Sequence, residues 1–177
     1  MKSIALLIII LSTTFLYSCS QQPKRVAGHE NNPYYSTTDT THLTVANDVW
    51  KKILPGELYS VAREKNTEVA FTGKYWEKNP KGTYYCAVCG NKLFKSDAKF
   101  ASTCGWPSFF EPIRKNSVLY LTDSSYGMER VEVQCSRCNS HLGHIFNDGP
   151  PPSYKRFCMN SVSLYFEPDN TADQLLK

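Results

Sequence analysis

The 177-residue chain lacks an apolar run long enough for a comfortable membrane span, which takes roughly 20 such residues. It also lacks a basic stripe or a long run of like charge, and its net charge of +4 comes from scattered Lys and Arg. Nucleic-acid binding, which depends on clustered positive charge, is therefore not expected. No internal repeat is visible apart from two Cys-x-x-Cys pairs. Helical periodicity is scarce as well, and it fades after Lys65. What is present is a chain 41% hydrophobic and 13% aromatic, enough for one packed domain with short extensions.

The first residues read as a targeting signal. Lys2 supplies a positive charge, and Ile4 to Leu11 is an apolar stretch of secretory type. The stretch runs on to Leu16-Tyr17-Ser18-Cys19, which resembles the lipobox of bacterial lipoproteins. Residues 1–18 would then be a cleaved signal peptide, and Cys19 would carry lipid at a membrane facing the periplasm or cell exterior. A plain signal peptide cut elsewhere is the alternative. Residues 19–43 are rich in Gln, Asn, Ser, Thr and Pro and predict a flexible tether. The folded unit spans 44–168, followed by a polar tail, 169–177.

Val49 to Leu54 fits a helical turn, and Glu57 to Lys65 a second short helix with Leu58, Val61 and Ala62 inward. Short β-prone runs follow at Val69–Tyr75, Gly82–Val88, Lys92–Phe94, Val118–Thr122 and Glu129–Gln134, and Lys155–Glu167 is the longest. The pattern predicts a mainly β, mostly antiparallel domain with small helices on its N-terminal side.

Apart from Cys19 there are six cysteines. Cys86-Ala-Val-Cys89 and Cys135-Ser-Arg-Cys138 each place two thiolates close enough to share a tetrahedral ion, and together they form a four-cysteine zinc set. Disulfides compete, since an exported protein meets an oxidising space. A thioredoxin-like dithiol also competes, but neither pair opens a helical pattern.

Cys158 sits in Arg156-Phe157-Cys158-Met159-Asn160. On a strand, Arg156, Cys158 and Asn160 share one face, and a guanidinium beside a thiol favours the nucleophilic thiolate. Upstream, His141 and His144 with Asp148 look like a polar loop that could supply protons. Metal binding is the other reading of the two histidines. Cys104 lies in a tight loop, where Trp106 and Phe109 suit a hydrophobic contact surface unless they are core; Phe110 is read as core.

These segments together resemble the B-type methionine sulfoxide reductases. The likeness rests on Phe71-Thr72-Gly73-Lys74-Tyr75-Trp76, Cys86-x-x-Cys89, Gly105-Trp106-Pro107-Ser108-Phe109, Gly127-Met128, Cys135-x-x-Cys138, His141-Leu142-Gly143-His144 and Arg156-Phe157-Cys158-Met159-Asn160-Ser161. It implies two antiparallel sheets, one structural zinc on the paired cysteines and no organic cofactor; separately, a monomer is expected. It implies that Cys158 attacks the sulfur of R-configured methionine sulfoxide in peptides and proteins. His141, His144 and Asn160 would donate to the sulfoxide oxygen, Asp148 and Arg156 would orient the network, and Trp106 would face the substrate methyl. Cys104 would resolve the resulting sulfenic acid as a disulfide, which a thioredoxin-like donor reduces. Two other classes remain at this point: a zinc-stabilised binding module, in which Cys104 and Cys158 are dispensable, and a general disulfide oxidoreductase, active without sulfoxide.

Overall fold

The computed structural model describes residues 29–77 and 80–169; Cys19, the leader and positions 170–177 lie outside the described residues. Two short helices open the domain, α1 (Asn47–Ile53) and α2 (Gly56–Glu64). Pro55 separates them, since it cannot continue a helix but suits the start of the next. Leu58, Val61 and Ala62 form the buried stripe of α2, at helical spacing, and Trp50 is the buried anchor of α1. Among the described residues no helix is long and apolar enough to cross a membrane.

The rest is β structure in two antiparallel sheets. One has three strands in the order β2-β1-β9, from β1 (Gly82–Cys86), β2 (Lys92–Lys95) and β9 (Leu164–Pro168). The other has six in the order β3-β4-β8-β7-β6-β5. These are β3 (Lys99–Phe100), β4 (Ser108–Phe109), β5 (Val118–Asp123), β6 (Arg130–Cys135), β7 (His141–Phe146) and β8 (Arg156–Met159). An aromatic cluster fills the core. Phe94 stacks on Phe109 at 4.3 Å, Tyr84 meets Phe109 edge-on at 5.0 Å, and Phe94 meets Phe157 at 5.8 Å.

Three local expectations differ from the structure. Val69–Tyr75 is a turn-rich loop, in which Phe71 takes a left-handed φ of 67° that no strand allows. The run Lys155–Glu167 is broken by a 3-10 turn at Ser161–Ser163, so its halves, β8 and β9, enter different sheets.

The third is the tether, whose described part, residues 29–43, packs on the domain. Asn32 Nδ2 donates to Val88 O at 2.7 Å, Ser36 N to Cys89 O at 3.0 Å, and Leu43 N to Arg137 O at 2.6 Å. Arg137, almost fully buried, donates to Tyr34 O and Cys89 O and pairs with Asp39 at 2.8 Å. Tyr34 and Leu43 also pack against the core, Tyr34 edge-on to Trp50 at 5.2 Å, and Tyr35 meets Tyr165 at 6.4 Å. Composition alone misreads this strap because a few such anchors and the polar groups of the two Cys-x-x-Cys turns hold it.

Candidate active site and zinc centre

Both Cys-x-x-Cys turns leave strand ends. Cys86 closes β1 and Cys135 closes β6, and each chain then turns so that its second cysteine faces the first. The four sulfurs lie within 4.8 Å of one another and are buried. Cys86 and Cys138 are 3.7 Å apart, and Cys89 and Cys135 are 3.6 Å apart. A tetrahedral ion with bonds near 2.3 Å sets its sulfurs about 3.8 Å apart, so the donor set fits zinc. Burial pushes the Cys86 and Cys89 thiols up, so a bound cation is what would keep these two as thiolates here. All six cysteines of the domain are unbridged, which argues against disulfides in the turns.

The second site lies on one face of the six-stranded sheet. Strand register lines up a row of opposed residues: Ser108 on β4, Cys158 on β8, His144 on β7 and Glu132 on β6. Phe109 and Phe157, one position along, point to the core instead. Phe109 was expected at a contact surface, yet it is fully buried, whereas Phe110 is only partly so. The alternation of β4 decides this: once Ser108 faces Cys158, Phe109 must face inward.

Cys104, on the β3–β4 loop, brings its sulfur to 3.2 Å from Cys158 Sγ, with Ser108 Oγ at 3.4 Å. Gly105 allows this loop to sit low. Its φ is +88°, and a Cβ there would press on Ala70 and Phe71, whose backbone N donates to Gly105 O at 2.8 Å. The two thiols titrate as a pair. The first proton leaves well below the ordinary thiol range, because the thiolate accepts the neighbour's S–H and the Ser102 and Ser108 hydroxyls; the second is held far above it by that thiolate and by burial, with Arg156 pulling the other way. Arg156 is held in a two-point pair with Asp148, at 2.9 and 2.8 Å, and lies 4.4 Å over the Phe146 ring.

A pocket of about 100 Å³ opens beside Cys158, lined by Thr67, Trp106, Arg130, His144, Phe146 and Asn160 together with Gly143. Trp106 is fixed by Nε1, which donates to Glu68 O at 3.3 Å. Asn160 lines the pocket, but its amide also ties two segments together. Oδ1 accepts from Glu68 N at 3.1 Å, and Nδ2 donates to Leu142 O at 3.1 Å.

The histidines, expected on a loop, are on strand β7. Regular alternation would send residues three apart to opposite faces. A bulge at Leu142 shifts the register, so Gln134 pairs with His141 and Glu132 with His144, and both rings reach the same side at 5.4 Å. Gly143 makes the bulge possible, since a Cβ there would collide with the Cys158 carbonyl oxygen. His141 is not among the lining residues. It is buried, with Nδ1 2.8 Å from Glu132 Oε1, and Glu132 also pairs with Lys65. Burial alone would push Glu132 up, but hydrogen bonds with His141, Lys65 and Gln134 bring it down to about 2.

Comparison with known proteins follows this geometry closely. A SelR domain matches residues 54–168. The peptide methionine sulfoxide reductase MsrB of Leptospira interrogans is 52% identical over 122 residues, covering 69% of this chain and 93% of that protein. The MsrB of Thiobacillus denitrificans is 54% identical over 119 residues, 67% of this chain and 90% of the relative. That of Methanosarcina barkeri is 50% identical over 129 residues, 73% and 91% respectively. The chain belongs to the SelR family, the B-type methionine sulfoxide reductases.

For a B-type reductase, the four-cysteine group is a structural zinc site, closed by four protein ligands and with no open position for chemistry. Sequence reasoning missed Arg130, Phe146, Asp123, Glu132 and Ser108 around the reductase site. A period-two reading of Arg130-Val131-Glu132 could have placed Arg130 and Glu132 on one face. Which face that was depended on pairing with β7.

Proposed function

We propose that this chain reduces the R epimer of methionine sulfoxide in peptides and proteins, with Cys158 as nucleophile and Cys104 as resolving thiol. The observation that carries the reading is the 3.2 Å approach of two free thiols, Cys104 and Cys158, the second of which lines a pocket walled by Trp106 and Phe146. A sulfoxide sulfur is a poor electrophile until its oxygen is protonated or strongly hydrogen-bonded. The apolar walls take the substrate methyl and methylene groups, and His144, Arg130 and Asn160 form the polar side.

Cys158 thiolate attacks the sulfoxide sulfur, the S–O bond breaks, and the oxygen, protonated, ends on Cys158 as a sulfenic acid. Methionine sulfur gains two electrons and cysteine sulfur loses two. Cys104 then attacks the sulfenic sulfur and water leaves, giving a Cys104–Cys158 disulfide that an external dithiol of thioredoxin type reduces. Zinc, held by Cys86, Cys89, Cys135 and Cys138, stabilises the strand ends and takes no part in these steps.

The sequence of Leu16 to Cys19 supports export and lipid attachment at Cys19, with the enzyme held on a membrane outside the cytoplasm. Radiolabelled fatty acid is expected in the wild-type protein and not in Cys19→Ala; equal labelling of both rules out this anchor.

Rapid-quench release of methionine from a peptide carrying either epimer tests the chemistry. Cys158→Ser releases none. Cys104→Ser releases about one equivalent and then stalls with a protein donor, because only resetting is lost. A Cys104→Ser enzyme with no first-turnover burst, or equal turnover of the S epimer, refutes the assignment.

A further inference from the structure

His144 stands directly opposite Cys158 across β7 and β8 and lines the same pocket. A sulfoxide whose sulfur meets Cys158 Sγ therefore has this ring within reach of its oxygen. The ring is not free to turn, because Nε2 lies 2.7 Å from Asp123 Oδ2. Asp123, the last residue of β5, is itself held from three sides. Arg130 Nη2 donates to Oδ2 at 2.8 Å, Ser125 N donates to Oδ1 at 3.0 Å, and His144 is the third partner. With Nε2 committed to Asp123, Nδ1 is the ring nitrogen left to serve the pocket.

The charges around His144 come from every strand nearby. Asp123 is on β5, Arg130 and Glu132 on β6, His141 on β7, and Cys158 with Arg156 on β8, while Lys65 after α2 reaches Glu132. Burial pushes His144 down, with Arg130 and His141 adding to the push, and Asp123 pulls the other way. The hydrogen bonds from Ser125, then His144, hold the Asp123 carboxyl well below the usual carboxylate range, so its charge is present throughout neutral pH.

We propose that Asp123 is a positioning residue for sulfoxide reduction: through Nε2 it aims Nδ1–H of His144 at the sulfoxide oxygen and carries the countercharge of the imidazolium. The inference rests on the reductase reading above. In the step, the Cys158 thiolate bonds to the sulfoxide sulfur as His144 Nδ1–H gives its proton to the oxygen; that new sulfur–sulfur bond and the S–O bond then break as the hydroxyl passes to Cys158, leaving methionine and the Cys158 sulfenic acid. Neutral His144 is left on Asp123, and the proton is recovered from solvent. This is the arrangement of a catalytic group oriented by a third side chain, here on the acid rather than the nucleophile. The β5–β6 hairpin, far from Cys158 in sequence, thereby becomes part of the reaction machinery.

Asp123→Asn in the zinc-loaded, full-length enzyme tests it, since Asn keeps an acceptor oxygen but removes the charge. Single-turnover methionine release from an R-sulfoxide peptide is followed across pH, beside zinc content and the ring-nitrogen NMR titration of His144. The expected result is a fall of about 100-fold in single-turnover rate at neutral pH, the range of one acid–base group, with KM little changed. The limb assigned to His144 moves to lower pH, and Asp123→Glu restores part of the rate. Reduction of the preformed Cys104–Cys158 disulfide by a small dithiol stays at the wild-type rate.

An unchanged rate and pH profile overturns the proposal. So does a wild-type NMR spectrum with the proton on Nδ1 and a bare Nε2 in neutral His144, which needs no variant to fold. If wild-type enzyme releases no methionine, the reductase reading itself has failed; if it does and Asp123→Asn matches it, only the role of Asp123 has.

Discussion

Phe109→Ala and Trp106→Ala separate the two aromatic residues of one loop and strand by function. Phe109 is fully buried, stacked on Phe94 at 4.3 Å and edge-on to Tyr84 at 5.0 Å. Truncating a Phe in such a place costs about 3–5 kcal/mol, the lost transfer energy plus the cavity left behind. For a domain of this size that lowers the melting temperature by roughly 10 °C. Trp106 is only partly buried and forms the pocket wall. A substrate methyl and its neighbouring methylene resting on the ring contribute about 1.5 kcal/mol at ~0.8 kcal/mol per group. Losing them raises KM roughly tenfold. Thermal melting with KM for an R-sulfoxide peptide, both scaled to titratable active thiol, measures the contrast. The reasoning is refuted if Phe109→Ala melts within about 2 °C of wild type yet raises KM like Trp106→Ala, since a core residue at the base of β4 cannot behave so.

Two further outcomes follow from the thiol pair and the strap. The reactive form for alkylation is the thiolate, and the pair sheds its first proton below the ordinary thiol value of 9.0. Iodoacetamide labelling of the reduced Cys104–Cys158 pair is therefore expected to stay nearly constant from pH 8 to pH 6, falling only at more acidic pH. Arg156→Ala moves that fall upward, and a wild-type rate dropping tenfold per pH unit across this range contradicts the shared-proton account. Deleting residues 29–43 removes the hydrogen bonds that Asn32, Ser36, Tyr34 and Asp39 make to the Cys-x-x-Cys turns and Arg137. At about 1 kcal/mol each, losing two or three speeds zinc transfer to a chromogenic chelator about 30- to 150-fold, with kcat unchanged; an unaltered release rate shows that the strap does not seal the site.

What the sequence determined alone is what local spacing encodes. Each Cys-x-x-Cys turn brings its own two sulfurs together, and period two along residues 156–160 sets Arg156 beside Cys158 and Phe157 into the core. The short helix with Leu58, Val61 and Ala62 inward is legible for the same reason. Tertiary structure alone decided the rest, because it depends on which strand lies next to which and in what register. Cys104 meets Cys158 across 54 residues of sequence. The β4–β8 register turns Phe109 into the core and Ser108 toward the sulfurs, and the bulge at Leu142 gives two histidines one face. Asp123 and Glu132 become histidine partners only when β5 and β6 pair beside β7. Residues 29–43, too poor in large apolar side chains to predict a packed segment, are held by polar groups that the two Cys-x-x-Cys turns present only once folded and by the rings and side chains that Tyr34, Tyr35 and Leu43 lay on Trp50, Tyr165 and the core.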